Sequence, residues 1–341
     1  MVNVEKLDSM TLREIFKDPS ISVLAKDAIR NWDLTVEDFY DWTLEEIAEK
    51  KGWKSLKMGF TRLLGAASRG EYYFNLYSEE EVKEDREKET TNIVYIPSDK
   101  DGANDKPFIF LIPGGGLVNV WNLTEGWPIA YLFNELGYNV FIITYRVAVE
   151  ATAVKDMADI ARAFEIISSK KELLGVDPTE YITCGFSAGG YIAGLWNTDK
   201  GYPAYGVSKP KASILVYPVT SYKIMMAEEW DDEEEKETFL RDSIGVSEEE
   251  ACNTSFEIPE HVEGFPPTAI FVTDGDDLVD PDNSKRLAKG LENAGIKCRL
   301  EVKPGGWHGF SDGIGMCMEG WPNRAIDWIE KLVFTVGQSG N

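Results

Sequence analysis

The run Tyr181-Ile182-Thr183-Cys184 passes straight into Gly185-Phe186-Ser187-Ala188-Gly189-Gly190, and no other stretch of these 341 residues limits the fold so tightly. A short apolar run before a turn reads as a buried strand, and the small residues after Ser187 read as the start of a helix. Between them G-x-S-x-G describes a sharp strand-to-helix turn that holds a serine hydroxyl out of a sheet. Glycines flank the serine because a side chain there would collide with the strained turn and with an approaching substrate.

The rest of the chain alternates two periodicities. Strands are predicted at 72–77, 92–96, 108–112, 140–144, 181–185, 213–217, 269–273 and 299–302. Helices are predicted at 124–136, 154–174, 191–196, 283–294 and 322–332. Such alternation implies an α/β fold with a mainly parallel central sheet, about eight strands here, covered by helices on both faces. Ahead of it, residues 1–70 carry apolar residues at helical spacing over 12–16, 21–32, 36–49 and 56–66. This segment would either lie over an active site as a lid or pad the outside of the sheet. The main domain is expected over 71–336, interrupted at 222–264 by an acidic, cap-like insertion above the sheet.

Composition narrows the function classes. No apolar run approaches the ~18 residues of a membrane span. The opening Met1-Val2-Asn3-Val4-Glu5-Lys6 has neither a basic stretch nor an apolar one, so a cytoplasmic location is expected. Cys184, Cys252, Cys298 and Cys317 are widely spaced, which suits reduced thiols, and Cys184 reads as a small core residue. A formal charge of −24 argues against nucleic acid or an anionic membrane as partner. Half of it is local: between residues 228 and 260, fourteen acids face two bases, a pattern that usually marks a solvated face.

A reactive serine needs a base, a carboxylate to hold that base's tautomer, and donors for a developing oxyanion. Histidine is the usual base near neutral pH, and the chain has only His261 and His308. His308 lies in Pro304-Gly305-Gly306-Trp307-His308-Gly309-Phe310, a glycine-rich loop after a predicted strand, and is the expected base. His261, in an acidic stretch, reads as a surface residue. The carboxylate should follow a strand between serine and histidine, where Asp274-Gly275-Asp276-Asp277-Leu278-Val279-Asp280-Pro281 stands. Placement favours Asp276 and leaves Asp274 and Asp277 open. A calcium loop does not fit: counting from Asp274, Val279 falls where glycine is needed and Lys285 where the bidentate glutamate should be. Two distant histidines make no other metal set, and no cofactor is required. Ile112-Pro113-Gly114-Gly115-Gly116 follows a strand and can aim backbone N–H groups at an oxyanion. Gly115 and Gly116, with Ala188 after the nucleophile, are the expected donors. A phosphate cradle is disfavoured because the loop has neither a Walker lysine nor G-x-G-x-x-G spacing.

Taken together, these motifs resemble the α/β-hydrolase esterases, and within them the acetyl-esterase and acetylxylan-esterase-like group related to hormone-sensitive lipase. The resemblance runs from about residue 92 to 332. It rests on Pro113-Gly114-Gly115-Gly116, Glu125-Gly126-Trp127-Pro128-Ile129-Ala130, Tyr145-Arg146-Val147, Gly185 to Gly190, Tyr217-Pro218-Val219, Pro266-Pro267-Thr268, the Asp276 loop and His308-Gly309-Phe310. It implies that Asp276, followed by Asp277-Leu278-Val279 and later Asn283-Ser284, is the catalytic acid. Two positions depart from the family pattern. Pro113 stands where lipase-type relatives have histidine, and Leu117 where esterases sharing the proline commonly have tyrosine.

The resemblance further implies a serine hydrolase acting on short-chain carboxylic esters, with acetylated sugars or xylo-oligosaccharides as the concrete substrate. Trp121, Trp127, Trp196 and Trp307, close to the motifs, are candidates to stack on sugar rings. Two rival readings remain at this level. One is a serine peptidase of the prolyl-oligopeptidase type, though nothing here has the length or repeat of its propeller domain. The other is a non-catalytic binding protein on the same scaffold.

Overall fold

Most strands of this chain are apolar on both faces, which only a sheet covered on both sides can bury. The computed structural model describes residues 2–29, 39–70, 72–228 and 230–333. Its strands are β1 Tyr73–Asn75, β2 Asn92–Ile96, β3 Phe108–Ile112, β4 Val140–Thr144, β5 Tyr181–Phe186, β6 Ala212–Val216, β7 Thr268–Thr273 and β8 Cys298–Lys303. They form one sheet in the order β1-β2-β4-β3-β5-β6-β7-β8. The first two strands pair antiparallel and all pairings from β4 to β8 are parallel. Every residue of strands β2 to β7 is buried, whereas β8, at the edge, exposes Leu300 and Val302 and carries the half-buried charges Arg299, Glu301 and Lys303 around them. Charged side chains on an edge discourage pairing with a further strand.

The helices are α1 Leu12–Ile15, α2 Leu44–Lys51, α3 Leu56–Arg69, α4 Glu79–Glu84, α5 Trp127–Glu135, α6 Thr152–Ser169, α7 Lys171–Leu174, α8 Ser187–Trp196, α9 Tyr222–Met225, α10 Glu233–Ser243, α11 Glu248–Asn253, α12 Asp282–Asn293 and α13 Trp321–Val333. Successive strand residues point to opposite faces, and the core divides accordingly. Ile182, Cys184 and Phe186 of β5 pack with α5, α13 and the N-terminal helices. Tyr181, on the other face, packs with α6, α8 and α12. The N-terminal helices share this first core directly: Phe16, Phe60 and Trp127 form a cluster with ring centroids 5.5–6.1 Å apart. Among the described residues no helix is long and apolar enough to cross a membrane.

Several boundaries differ from the sequence expectation, with identifiable causes. The helix expected over 21–32 is a 3-10 turn, Ser22–Asp27, and residues 30–38 lie outside the described part of the chain. The helix expected from residue 36 begins at Leu44, because Thr43 and Glu46 close a reciprocal capping box there. The helix expected over 154–174 is interrupted at Lys170 and resumes as α7. Ahead of α5 the chain makes a π-helical turn, Asn122–Gly126. Pro128 has no N–H to give to the Thr124 carbonyl, which instead accepts from the Ser311 hydroxyl.

The acidic insertion folds as α9, α10 and α11. Glu233, Glu234 and Glu235 occupy the first turn of α10, and Glu248, Glu249 and Glu250 that of α11, behind the caps Asp232 and Ser247. Acids at helix N-termini meet the positive end of the helix dipole, so these runs have a local structural cause. Leu240, Ile244, Ala251 and Phe256 from the same segment are buried in the second core.

That core also holds charge. Arg146 is paired with Asp159 at 2.8 Å, and the Tyr77 hydroxyl donates to Asp159 at 2.6 Å. Beside them Asp156 is fully buried, and neither of its oxygens has a hydrogen-bond partner among the described residues. Burial holds its carboxyl well above the ordinary range of 3.8, with the Asp159 charge adding to the effect. An unfolded chain releases this proton above its ordinary value, whereas the folded chain keeps it. The group's contribution to stability is therefore full in acid and lost as pH rises. Asp156→Asn is expected to match the parent in thermal stability at about pH 4 and to exceed it increasingly toward pH 8, by at most ~1.4 kcal/mol per pH unit. Calorimetry across that range checks it.

Candidate active site

The residues gathered at one edge of the sheet come from loops that follow the C-terminal ends of β3, β5, β6, β7 and β8, the place where open parallel sheets hold ligands. Ser187 follows Phe186 of β5 and opens α8 with φ at 51°, a backbone that costs an L-residue roughly 1–2 kcal/mol. The turn closes this tightly because of Gly189: a Cβ there would lie 2.3 Å from the Ile112 and Pro113 carbonyl oxygens.

Three side chains meet in line. His308 Nε2 lies 2.8 Å from Ser187 Oγ. On its other side, Nδ1 lies 2.8 Å from Asp276 Oδ2 and 3.0 Å from Oδ1. The Asp276 carboxylate also accepts the backbone N–H groups of Leu278 and Val279, at 3.1 and 2.9 Å, which fix its orientation. The other acids of that loop do different work. Asp274 accepts the Gly305 N–H at 2.6 Å and so ties the β7 loop to the histidine loop. Asp277 is exposed, and Asp280 accepts the Asp282 N–H at the start of α12. His261 ends a short 3-10 turn and has no bond to this group.

The glycine loop after β3 turns back on itself. Val118 and Asn119 both donate to the Gly115 carbonyl, at 3.1 and 2.9 Å, and Trp121 donates to that of Gly114 at 2.9 Å. Gly115 is indispensable to this shape, since a Cβ there would sit 2.1 Å from the Asn119 oxygen at a φ of 137°. Among the described residues the N–H groups of Gly115, Gly116 and Ala188 have no protein acceptor. Free amides beside a nucleophile can take an oxyanion. Pro113 contributes its carbonyl instead of an N–H, accepting the Tyr145 hydroxyl at 2.6 Å.

Sequence reasoning quoted Glu125 and Tyr217 in motifs without giving them a role, and the structure places both at the centre of the site. Glu125 is buried; it accepts the Gly114 N–H at 2.7 Å on one oxygen and the Tyr217 hydroxyl at 2.8 Å on the other. Tyr217 packs edge-on to the His308 ring at 4.9 Å, and its hydroxyl accepts the Ser311 N–H at 3.2 Å. One carboxylate thus links the glycine loop to the histidine loop. Burial raises the Glu125 carboxyl above its ordinary value, opposed by these two hydrogen bonds and by the nearby His308. The signal available in the sequence was an acid directly ahead of Gly126-Trp127-Pro128 in an otherwise apolar helix start.

Two of the tryptophans offered as sugar platforms are excluded. Trp127 and Trp196 are buried in the two cores, the latter stacked on Phe164 at 5.9 Å, because each is on an inward face of its helix. Trp121 is half-buried and Trp307 is exposed. All four cysteines are free, and burial pushes the Cys184 thiol well above its ordinary range.

Comparison with known proteins agrees with this architecture. A family model described as alpha/beta hydrolase fold matches residues 112–312. The chain is 27% identical over 228 residues to an acetylxylan esterase of Xylanibacter ruminicola, a match covering 65% of this chain and 44% of that one. The chain therefore spans less than half the length of that relative. Among solved structures, the acetyl ester-xyloside bifunctional hydrolase from Caldicellulosiruptor lactoaceticus superposes with a TM-score of 0.62 at 22% identity, over 77% of this chain and 96% of that one. Thermogutta terrifontis esterase 2 phosphonylated by sarin gives 0.60 at 21% identity, over 79% and 95%.

The Glu125 link yields a measurable consequence. Removing its carboxylate strands the Gly114 N–H and the Tyr217 O–H, each a loss of about 1–3 kcal/mol when buried. Glu125→Ala is expected to lower thermal stability and to slow phosphonylation of Ser187 by a fluorophosphonate about 10–10²-fold, less than the ~10²–10³ of losing an oxyanion donor outright. Glu125→Gln, whose amide oxygen can still accept from Gly114, should recover part of both. Intact-mass time courses read the labelling rate.

Proposed function

Because the chain belongs to the α/β-hydrolase fold family, we propose that it is a serine hydrolase that cleaves short-chain carboxylic esters through an acyl-enzyme, deacetylating sugars or xylo-oligosaccharides. The observation that carries this reading is the unbroken line Ser187–His308–Asp276, with 2.8 Å at each junction. His308 Nε2 takes the Ser187 proton as Oγ attacks the carbonyl carbon. Asp276 holds the Nδ1–H tautomer and stabilises the imidazolium. The amides of Gly115, Gly116 and Ala188 receive the oxyanion. The imidazolium then gives its proton to the departing alcohol, and a water, deprotonated by His308, releases the acid and restores Ser187.

The acetyl group and the sugar come from the similar proteins. The sequence relative is named an acetylxylan esterase, and one structural neighbour is named an acetyl ester-xyloside hydrolase. Four free cysteines suit a reducing compartment, and we place the reaction in the cytoplasm, on a soluble saccharide rather than a polymer.

Incubation with a fluorophosphonate followed by peptide mapping should label Ser187 alone, and Ser187→Ala should take no label. Absence of label on folded protein would sink the reading. Asp276→Asn is expected to reduce kcat on a small acetate ester by ~10³–10⁴, the scale of a wrong base tautomer. Asp277→Asn, at an exposed side chain away from His308, should leave kcat unchanged. A panel of acyl esters from acetyl to decanoyl should peak at the short end.

A further inference from the structure

Beside the histidine loop lies a cavity of about 220 Å³ that the catalytic line does not use. Its walls include Trp53 and Lys54 ahead of α3, Thr124 ahead of α5, and Trp307 and Met316 on either side of the histidine loop's far turn. We propose that it is the subsite for one sugar ring of the substrate's alcohol part. The proposal rests on the esterase reading above and names what that site binds.

Position is the first argument. In ester cleavage the imidazolium gives its proton to the departing alkoxide. The alcohol oxygen is therefore placed at His308 Nε2, and the cavity lined by Trp307 and Gly309, the two chain neighbours of His308, is where the rest of the alcohol can extend.

Chemistry is the second. Trp307 is 57% exposed, the only tryptophan among the described residues on the surface to that degree. Its ring contacts no other aromatic ring there, whereas Trp53 across the cavity is fixed edge-on by Phe39 at 5.4 Å and Trp121 at 6.2 Å. An exposed indole beside a reacting centre offers a flat apolar face with nothing upon it. The rim is nonetheless polar. Lys51 and Lys54 make no ion pair within 4.0 Å among the described residues; the Lys51 ammonium lies over the Phe39 ring at 5.4 Å, and the Lys54 charge acts on the Asp312 carboxylate in the same wall. Their donors are available to hydroxyl groups. A flat apolar face with ammonium groups at its edge suits a pyranose, whose C–H face stacks while its hydroxyls accept. A long acyl chain would leave those donors unmet.

Size is the third. Pockets for drug-sized ligands run about 300–1,000 Å³. At about 220 Å³ this cavity lies below that range, a size that suits a single hydroxylated ring.

The test compares two acetates that differ only in their alcohol: a monoacetylated methyl xyloside and ethyl acetate, whose alcohol is too small to reach the indole. For Trp307→Ala, the ratio of kcat/KM on the xyloside acetate to that on ethyl acetate should fall at least tenfold against the parent, and Trp307→Phe, which keeps a flat ring, should restore much of it. An unchanged ratio in Trp307→Ala overturns the proposal. As a binding measurement independent of turnover, xylobiose added to the Ser187→Ala protein should quench a fluorescence component that is missing from the Ser187→Ala, Trp307→Phe double variant. Equal quenching in both overturns it as well. If the parent cleaves neither ester, the esterase reading fails on its own, and the xylobiose measurement still decides whether the cavity takes a sugar.

Discussion

The left-handed backbone at Ser187 is the constraint to which the rest of the site answers. A serine does not adopt φ near 50° unless its surroundings leave no alternative. Here β5 enters from the middle of the sheet, between β3 and β6, and α8 leaves with nearly every residue buried. Gly189 lets the helix start lie directly on the β3 carbonyls, and Val219 donates to the Ser187 carbonyl at 3.2 Å. Large burial on both sides of the turn holds a strained residue between them. The same backbone region recurs at Leu117, Tyr217 and Ser311, each on a loop that contributes to the site. The strain is thus concentrated at one edge of the sheet, where precise aim matters, and the strands beneath are regular.

Holding three loops around one site requires that they be fixed to one another, and the Glu125 carboxylate does this between the glycine loop and Tyr217. A buried carboxyl is costly unless its oxygens are satisfied, and here one is spent on the glycine loop and the other on Tyr217. With the Gly114 N–H bonded to Glu125, the next two amides, Gly115 and Gly116, face no protein acceptor among the described residues. The loop's donors are therefore divided between holding its shape and remaining available.

How much of this could be read from the sequence follows from which forces are local. The strands were legible because they are apolar on both faces and short, and β2, β3 and β4 have the expected bounds. That Asp276 faces His308 was reachable by position, since the loop after β7 is short; that Asp274 instead ties Gly305 was not, because it depends on a neighbour thirty-one residues away. The helices of the acidic insertion escaped a reading based on apolar spacing. Their starts are set by Asp232 and Ser247 caps and by acids in the first turn, and their few apolar residues are too sparse to show a period. Trp127 and Trp196 were misjudged for a related reason: closeness in sequence to a motif does not reveal which face of a helix a ring is on. Glu125 was invisible as a working residue because both of its partners are set by tertiary structure.

The place of the N-terminal helices follows from the same logic. A glycine-rich loop such as 304–309 has little shape of its own, yet it must present His308 to Ser187 at hydrogen-bond distance. It is held at its start by Asp274 and by Gly275, whose N–H donates to the Gly305 carbonyl at 3.2 Å. Beyond His308, Ser311 is bound to Tyr217 and to the Thr124 carbonyl, and its own carbonyl accepts the Trp321 indole N–H at 2.8 Å. The last tether is Asp312, whose carboxylate accepts the Ser55 hydroxyl ahead of α3. Phe310 sits in the same core as Phe16, Phe60 and Trp127. Residues from the first sixty of the chain therefore help to fix the loop that carries His308. Loss of that segment would remove a wall of the sheet and one anchor of the His308 loop together, so its contribution to the placing of His308 is inseparable from its contribution to the core.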